Sequence, residues 1–127
     1  MKLTVVPGTF AICRLDPSAT IPAWALGGDF VSIVRTSDEL SIVCRQENVL
    51  PEIRCDGNWR CLKVQGPLDF ALTGVLASIA MPLARAGISI FSVSTFDTDY
   101  MLVKASDLSQ AVEVLRQAGH GIQDERT

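Results

Sequence analysis

The chain holds one histidine and one tyrosine among 127 residues, and aromatic residues make up only 6%. A single imidazole leaves most nucleophile–base arrangements without a base. A Ser–His or Cys–His pair would have to use His120, which lies in Gly119-His120-Gly121 at the expected end of a helix and reads as a polar turn residue. Positive charge is not in excess: 11 Lys and Arg stand against 14 Asp and Glu, a net charge of −3, so there is no electrostatic footprint for nucleic acid. No apolar run approaches the roughly 18 residues of a membrane span. The opening Met1-Lys2-Leu3-Thr4-Val5-Val6-Pro7 is too short for a signal peptide and is interrupted by Pro7, so a soluble, cytoplasmic protein is expected. There are four cysteines, but without an export signal they read as reduced thiols rather than disulfides. Cys44 sits in an apolar run, and the spacing of Cys55 and Cys61 is not that of a zinc knuckle. There is no phosphate-cradling Gly-rich loop and no clearly placed carboxylate pair. No catalytic residue, cofactor or metal is therefore expected.

What is present is enough apolar material for a core: 48% of residues are hydrophobic and 20% charged, which excludes a disordered chain. Trp59 to Val64 alternates apolar and polar residues, as a strand does, and Gly66-Pro67 ends it. Leu72, Val75, Leu76, Ile79, Leu83 and Ala86, spaced by three and four, form one face of a helix. Asp69 or Thr73 is placed to cap its start and Gly87 to close its end. Pro82 lies inside this pattern, where it removes the bond to the Ser78 carbonyl. Ile88 to Thr95 reads as a strand apolar on both faces, hence central in its sheet. Phe96-Asp97-Thr98 is a turn, and Asp99 to Val103 the returning strand. Asp107, with Gln110 in a capping box, starts a second helix whose stripe is Leu108, Ala111, Val112, Leu115 and Ala118. A short strand near Ile122 follows. The order β-α-β-β-α-β is the split βαβ arrangement, with two helices on one face of a four-stranded antiparallel sheet.

The first half echoes this in shorter form. Val31-Ser32-Ile33-Val34 set beside Ile88-Ser89-Ile90-Phe91 gives a weak internal repeat with a period near 57 residues. Between Ile21 and Leu26 there is room for only one or two helical turns, so this half cannot cover its own sheet and should share a sheet or core with the second. The linker reads as Pro51 to Asn58, with Asp56-Gly57-Asn58 a turn. This divides the chain into residues 1–55 and 56–127.

Several runs carry a resemblance. Gly66-Pro67-Leu68-Asp69-Phe70, Thr73 to Ala80, Pro82-Leu83-Ala84, Ala86 to Phe91 and Ser94-Thr95-Phe96-Asp97-Thr98-Asp99-Tyr100 resemble the ACT domain, in particular the ACT modules of the CASTOR arginine sensors and of small bacterial stand-alone tandem-ACT proteins. The likeness is dense from Trp59 to Ile122, and residues 1 to about 55 resemble the trimmed first repeat of the same small proteins. It implies an α+β fold of tandem ferredoxin-like units and a regulatory protein that binds a small ligand, most often an amino acid, between two ACT units. It also implies that a homodimer rebuilds the four units of the longer sensors. The loop and helix start carried over are Asp69, Leu72, Thr73, Gly74 and Val75; the hairpin positions are Thr95, Phe96 and Asp99; and Ser89 and Ile90 form the strand facing another unit's site. Leu72 replaces an acidic residue of the arginine sensors, which points away from arginine toward a smaller or less basic amino acid.

The residues make a physical case of their own. Backbone N–H groups of Thr73, Gly74 and Val75 at a helix start can receive a carboxylate, and Asp69 and Asp99 an ammonium, with Asp97 as an extra carboxylate. Each also has a local explanation: Asp69 as an N-cap, Asp97 and Asp99 as turn residues, Gly74 as a packing residue, Ser89 as a solvated serine. An adaptor whose pocket binds nothing is the alternative function.

Overall fold

The computed structural model describes residues 1–69 and 73–124. Two compact units are present: one comprises Met1–Pro7 with Arg60–Thr127, the other Gly8–Trp59. The division is thus not a single cut along the chain. Strands β1 (Lys2–Leu15) and β4 (Cys55–Val64) each contribute one half to either unit.

The larger unit continues from β4 through α1 (Val75–Arg85), β5 (Phe91–Ser94), β6 (Asp99–Lys104), a 3-10 turn at Ala105–Asp107, α2 (Leu108–Gln117) and β7 (Gly121–Asp124). Its strands run in the order β5-β6-β4-β1, with β7 also on β1. The expected four-stranded sheet therefore has a fifth strand. The amino-terminal half of β1 lies between β4 and β7, and β7 pairs with it in parallel, Lys2 opposite Gly121 and Val5 opposite Asp124. The Gln65 N–H donates to the Lys2 carbonyl at 2.8 Å along the other edge of β1. The core of this unit is built from alternate residues of the strands, Leu3, Val5, Leu62, Val64, Met101, Val103 and Ile122, against Ile79 and Leu83 of α1 and Leu108, Ala111, Val112 and Leu115 of α2. Period two on the strands and three-to-four on the helices put all of these on one interface. Ala118, expected on the α2 stripe, is exposed. Asp107 stands at the N-cap of α2, but its side chain makes no capping bond because the 3-10 turn leads directly into the helix.

Two strand expectations are corrected. The strand expected over 88–95 begins only at Phe91, and β5 ends the strand order instead of sitting centrally. The apolar residues that suggested a central strand precede it: Ile88 is buried in the core and Ile90 packs against it. Asp56-Gly57-Asn58 lies within β4 and not in a turn. Asn58 takes a positive φ of 64°, held by Gln46, whose Oε1 accepts from the Asn58 N–H at 2.5 Å and whose Nε2 donates to Asn58 Oδ1 at 3.2 Å.

The smaller unit repeats the plan in reduced form. Its strands β2 (Ser32–Arg35) and β3 (Leu40–Arg45) form a hairpin, and β3 pairs antiparallel with β1, Phe10 opposite Arg45 and Leu15 opposite Leu40. A 3-10 turn at Gln46–Asn48 follows. The starts and ends of β2, β3 and this turn lie 59 residues before those of β5, β6 and the turn at Ala105–Asp107, so the repeat register is 59 and not 57. Where the larger unit has α1, this one has a single 3-10 turn at Ala23–Leu26. Its core is Ala11, Cys13, Ala25, Leu40, Ile42 and Cys44.

Candidate functional site

The site grows from the hairpin turn between β5 and β6. Ser94 pairs with Asp99 across the strands, and residues 95–98 close the loop. The Thr95 N–H donates to the Thr98 carbonyl at 2.8 Å, and the Thr98 N–H donates back to Thr95 Oγ1 at 3.3 Å. A threonine at the first position thus builds the turn from both its backbone and its hydroxyl. The turn is fastened to the chain leaving β4: buried Thr98 donates its hydroxyl to the Val64 carbonyl at 2.7 Å, and the Leu68 N–H donates to the Asp97 carbonyl at 2.6 Å. Only glycine fits at position 66, since a Cβ there would lie 2.9 Å from the Asp97 carbonyl oxygen.

Helix α1 opens beside this turn. Its N-cap is Gly74, in the left-handed region at φ 79°, and no side chain caps it. Neither Asp69 nor Thr73 caps the helix, as the sequence had suggested. The helix starts later, at Val75, because glycine takes the left-handed conformation without the steric cost that other residues meet. The first hydrogen bond from a later turn runs from the Ser78 N–H to the Gly74 carbonyl at 2.9 Å. The N–H groups lacking an intrahelical acceptor are therefore those of Val75, Leu76 and Ala77, in place of Thr73, Gly74 and Val75. A Cβ on Gly74 would meet nothing within 4 Å. Gly74→Ala is accordingly expected to cost about 1 kcal/mol from the backbone alone, readable as a lower urea midpoint with an unchanged slope.

Turn and helix head enclose a cleft of about 240 Å³. Asp69, Gly74, Val75, Thr95, Phe96 and Asp99 of the expected residues line it, together with Leu68, Leu76, Ser94, Asp97 and Thr98. Among the described residues three that line the cleft are aspartates, and none is a lysine or arginine. Asp99 is oriented by Ser94, whose hydroxyl donates to its Oδ1 at 2.7 Å. Thr73 is exposed and is not among the lining residues. Leu72 lies outside the described residues. Ser89 is exposed and Ile90 half-buried, and neither lines the cleft. Ser94 and Leu76 escaped the sequence reading, although the Ser94–Asp99 pairing follows from the hairpin register.

The equivalent turn of the smaller unit, Thr36-Ser37-Asp38-Glu39, has the same bond from the Thr36 N–H to the Glu39 carbonyl, at 2.9 Å. Its surroundings differ. Arg35, which stands where the larger unit has Ser94, donates to the carbonyls of Pro17 and Ala19, and Arg14 donates to the Asp38 carbonyl at 2.9 Å. Here the protein's own guanidinium groups serve the carbonyls around the turn.

Two reactive groups outside the cleft, His120 and Cys61, are enclosed by the fold. His120, expected as a polar turn residue, is buried. Its Nε2 donates to the Ser78 carbonyl at 3.0 Å and its Nδ1 accepts from the Met1 ammonium at 3.1 Å. Burial pushes the Cys61 thiol up to about 12, which keeps it protonated and unreactive. Among the described residues no group of three or more His, Cys, Asp or Glu could hold a metal ion, and no helix is long and apolar enough to cross a membrane.

A family model for the ACT domain matches residues 54–117, half of the chain. The chain belongs to the ACT domain family. A second model, for an N-terminal domain, matches residues 8–52. The human cytosolic arginine sensor for mTORC1 subunit 1 is 40% identical over 65 residues, covering 50% of this chain and 20% of the sensor. This chain thus spans about a fifth of the length of the curated sensors it matches. A crystal structure of a protein from Agobacterium tumefaciens is 48% identical, with a TM-score of 0.94 over 99% of this chain and 94% of that one. The ligand-free regulatory subunit of aspartate kinase from Thermus thermophilus has the same fold at 14% identity, with a TM-score of 0.62 over 91% of this chain and 96% of that one.

Proposed function

We propose that this protein is a non-catalytic regulatory module of the cytoplasm that binds a free amino acid in the cleft at the head of α1. The observation that carries this reading is the pairing, in one cleft of about 240 Å³, of backbone donors at Val75 and Leu76 with the carboxylates of Asp69, Asp97 and Asp99. A zwitterion matches both: its carboxylate is favoured by the helix dipole and its ammonium by charge-assisted bonds to aspartate. The named roles of relatives, an arginine sensor and a regulatory subunit of aspartate kinase, are consistent with an amino acid. On this reading the site is completed in a homodimer. Ser89 and Ile90, which stand away from the cleft of their own unit, then face the cleft of the other copy.

Calorimetry of the dimer against the twenty amino acids tests the proposal, and binding of none of them would end it. Asp99→Ala is expected to weaken binding by about tenfold, close to 1.4 kcal/mol, the lower range for a hydrogen bond to a charged group. The thermal shift produced by ligand should shrink accordingly.

A second reading is favoured by Phe96, which lines the cleft and is 79% exposed. An aromatic so open at a turn tip suits contact with a protein partner, as in an adaptor whose cleft binds nothing. Phe96→Ser separates the two: it abolishes partner capture in the adaptor and leaves amino-acid affinity within a few-fold in the sensor.

A further inference from the structure

The smaller unit carries a cluster of thiols that the cleft does not use. The Arg14 N–H donates to the Arg54 carbonyl at 3.0 Å and the Gln65 N–H to the Lys2 carbonyl at 2.8 Å, so β1 runs antiparallel to the chain that enters β4, with residue 14 opposite residue 54 just before that strand begins. The next pair in that register is Cys13 and Cys55. In such a ladder the pair beside a hydrogen-bonded one is the close, non-hydrogen-bonded kind, with Cα atoms about 4.5 Å apart. That separation lies within the range of a disulfide, so the bond can form without moving the strands. Side chains of paired residues stand on the same face, and both cysteines line one open cavity of about 340 Å³ with Arg14, Arg54, Glu39 and Asp56. Cys55 is exposed, Cys13 buried, and both are reduced.

We propose that Cys13 and Cys55 are an oxidant-responsive dithiol, closed to a cross-strand disulfide by peroxide. The exposed Cys55 thiolate attacks one oxygen of hydrogen peroxide and becomes a sulfenic acid, and hydroxide leaves and takes up a proton as water. The Cys13 sulfur then attacks the Cys55 sulfur. The S–O bond breaks, and the second hydroxide leaves with the Cys13 proton as a second water. Two thiols and one peroxide thus give one disulfide and two waters. Cys44 is the competing partner, because it packs with Cys13 in the core of the same unit. Its neighbour Cys44 and burial push the Cys13 thiol up. Cys13 is the buried member of the pair, and the proton it loses on attack is the one handed to the departing hydroxide. Cys44 is buried, whereas Cys55 meets solvent, so peroxide reaches Cys55 first.

The test is differential alkylation of the full chain after brief treatment with hydrogen peroxide, read by peptide mass spectrometry. The expected result is the loss of two of the four alkylatable thiols, a linked Cys13–Cys55 peptide, and full recovery with dithiothreitol. Cys44→Ala should retain the link and Cys55→Ser should abolish it. A linked Cys13–Cys44 peptide, a Cys55–Cys55 bond between chains, or Cys55 recovered as sulfinic acid with Cys13 free would each overturn the proposal.

Discussion

Replacing Leu83 by alanine is expected to destabilise the protein by about 2–5 kcal/mol, measured by urea unfolding. Leu83 is fully buried in the core between α1 and α2, where the surrounding Ile79, Leu108, Ala111 and Leu115 are equally enclosed. Removing its isobutyl group loses the transfer free energy and leaves a cavity that two packed helices cannot close. Met81, two residues earlier on the same helix, is half exposed, and Met81→Ala should change stability by no more than about 0.5 kcal/mol. Equal costs at the two positions would contradict the assignment of the buried face of α1.

His120→Ala is expected to cost about 1–1.5 kcal/mol, the upper part of the net worth of a neutral hydrogen bond, since water can still reach the exposed Ser78. The reason begins with Pro82. Having no N–H, proline cannot serve the carbonyl four residues earlier, that of Ser78. The structure supplies the missing donor from outside the helix: His120 Nε2 lies 3.0 Å from that oxygen. A carbonyl only accepts, so the ring carries its proton on Nε2. A double-mutant cycle checks the coupling. In a Pro82→Ala background the restored backbone N–H competes for the same oxygen, and His120→Ala should then cost about 1 kcal/mol less. Strict additivity of the two substitutions would rule out the shared acceptor.

This pair also shows where sequence reading stops. Pro82 announces an orphaned carbonyl at Ser78, but nothing near position 78 says that a donor arrives from position 120. The same divide runs through the site. Thr95, Asp97 and Asp99 are legible as hairpin residues because turn chemistry is local, and Gly74 is legible as a special position because few residues other than glycine tolerate φ 79°. The exact head of α1 was not, since Asp69 and Thr73 are chemically good caps and only the fold selects Gly74 over them.

Elements whose signal is a period of their own side chains are settled by local sequence alone: the α2 stripe from Leu108 to Leu115, the returning strand from Asp99 to Val103, and the shortened helical region of the first repeat. The ACT relationship came from the same local runs. What needed three dimensions were pairings between segments distant in the chain. The insertion of Lys2–Val5 between β4 and β7 joins residues more than 100 positions apart, and the placement of β5 at the end of the strand order depends on what lies beside it. A residue's preference for strand or helix is written in its neighbours, but a strand offers hydrogen bonds along both edges to any matching partner. Which partner takes them is decided by the burial of the whole core.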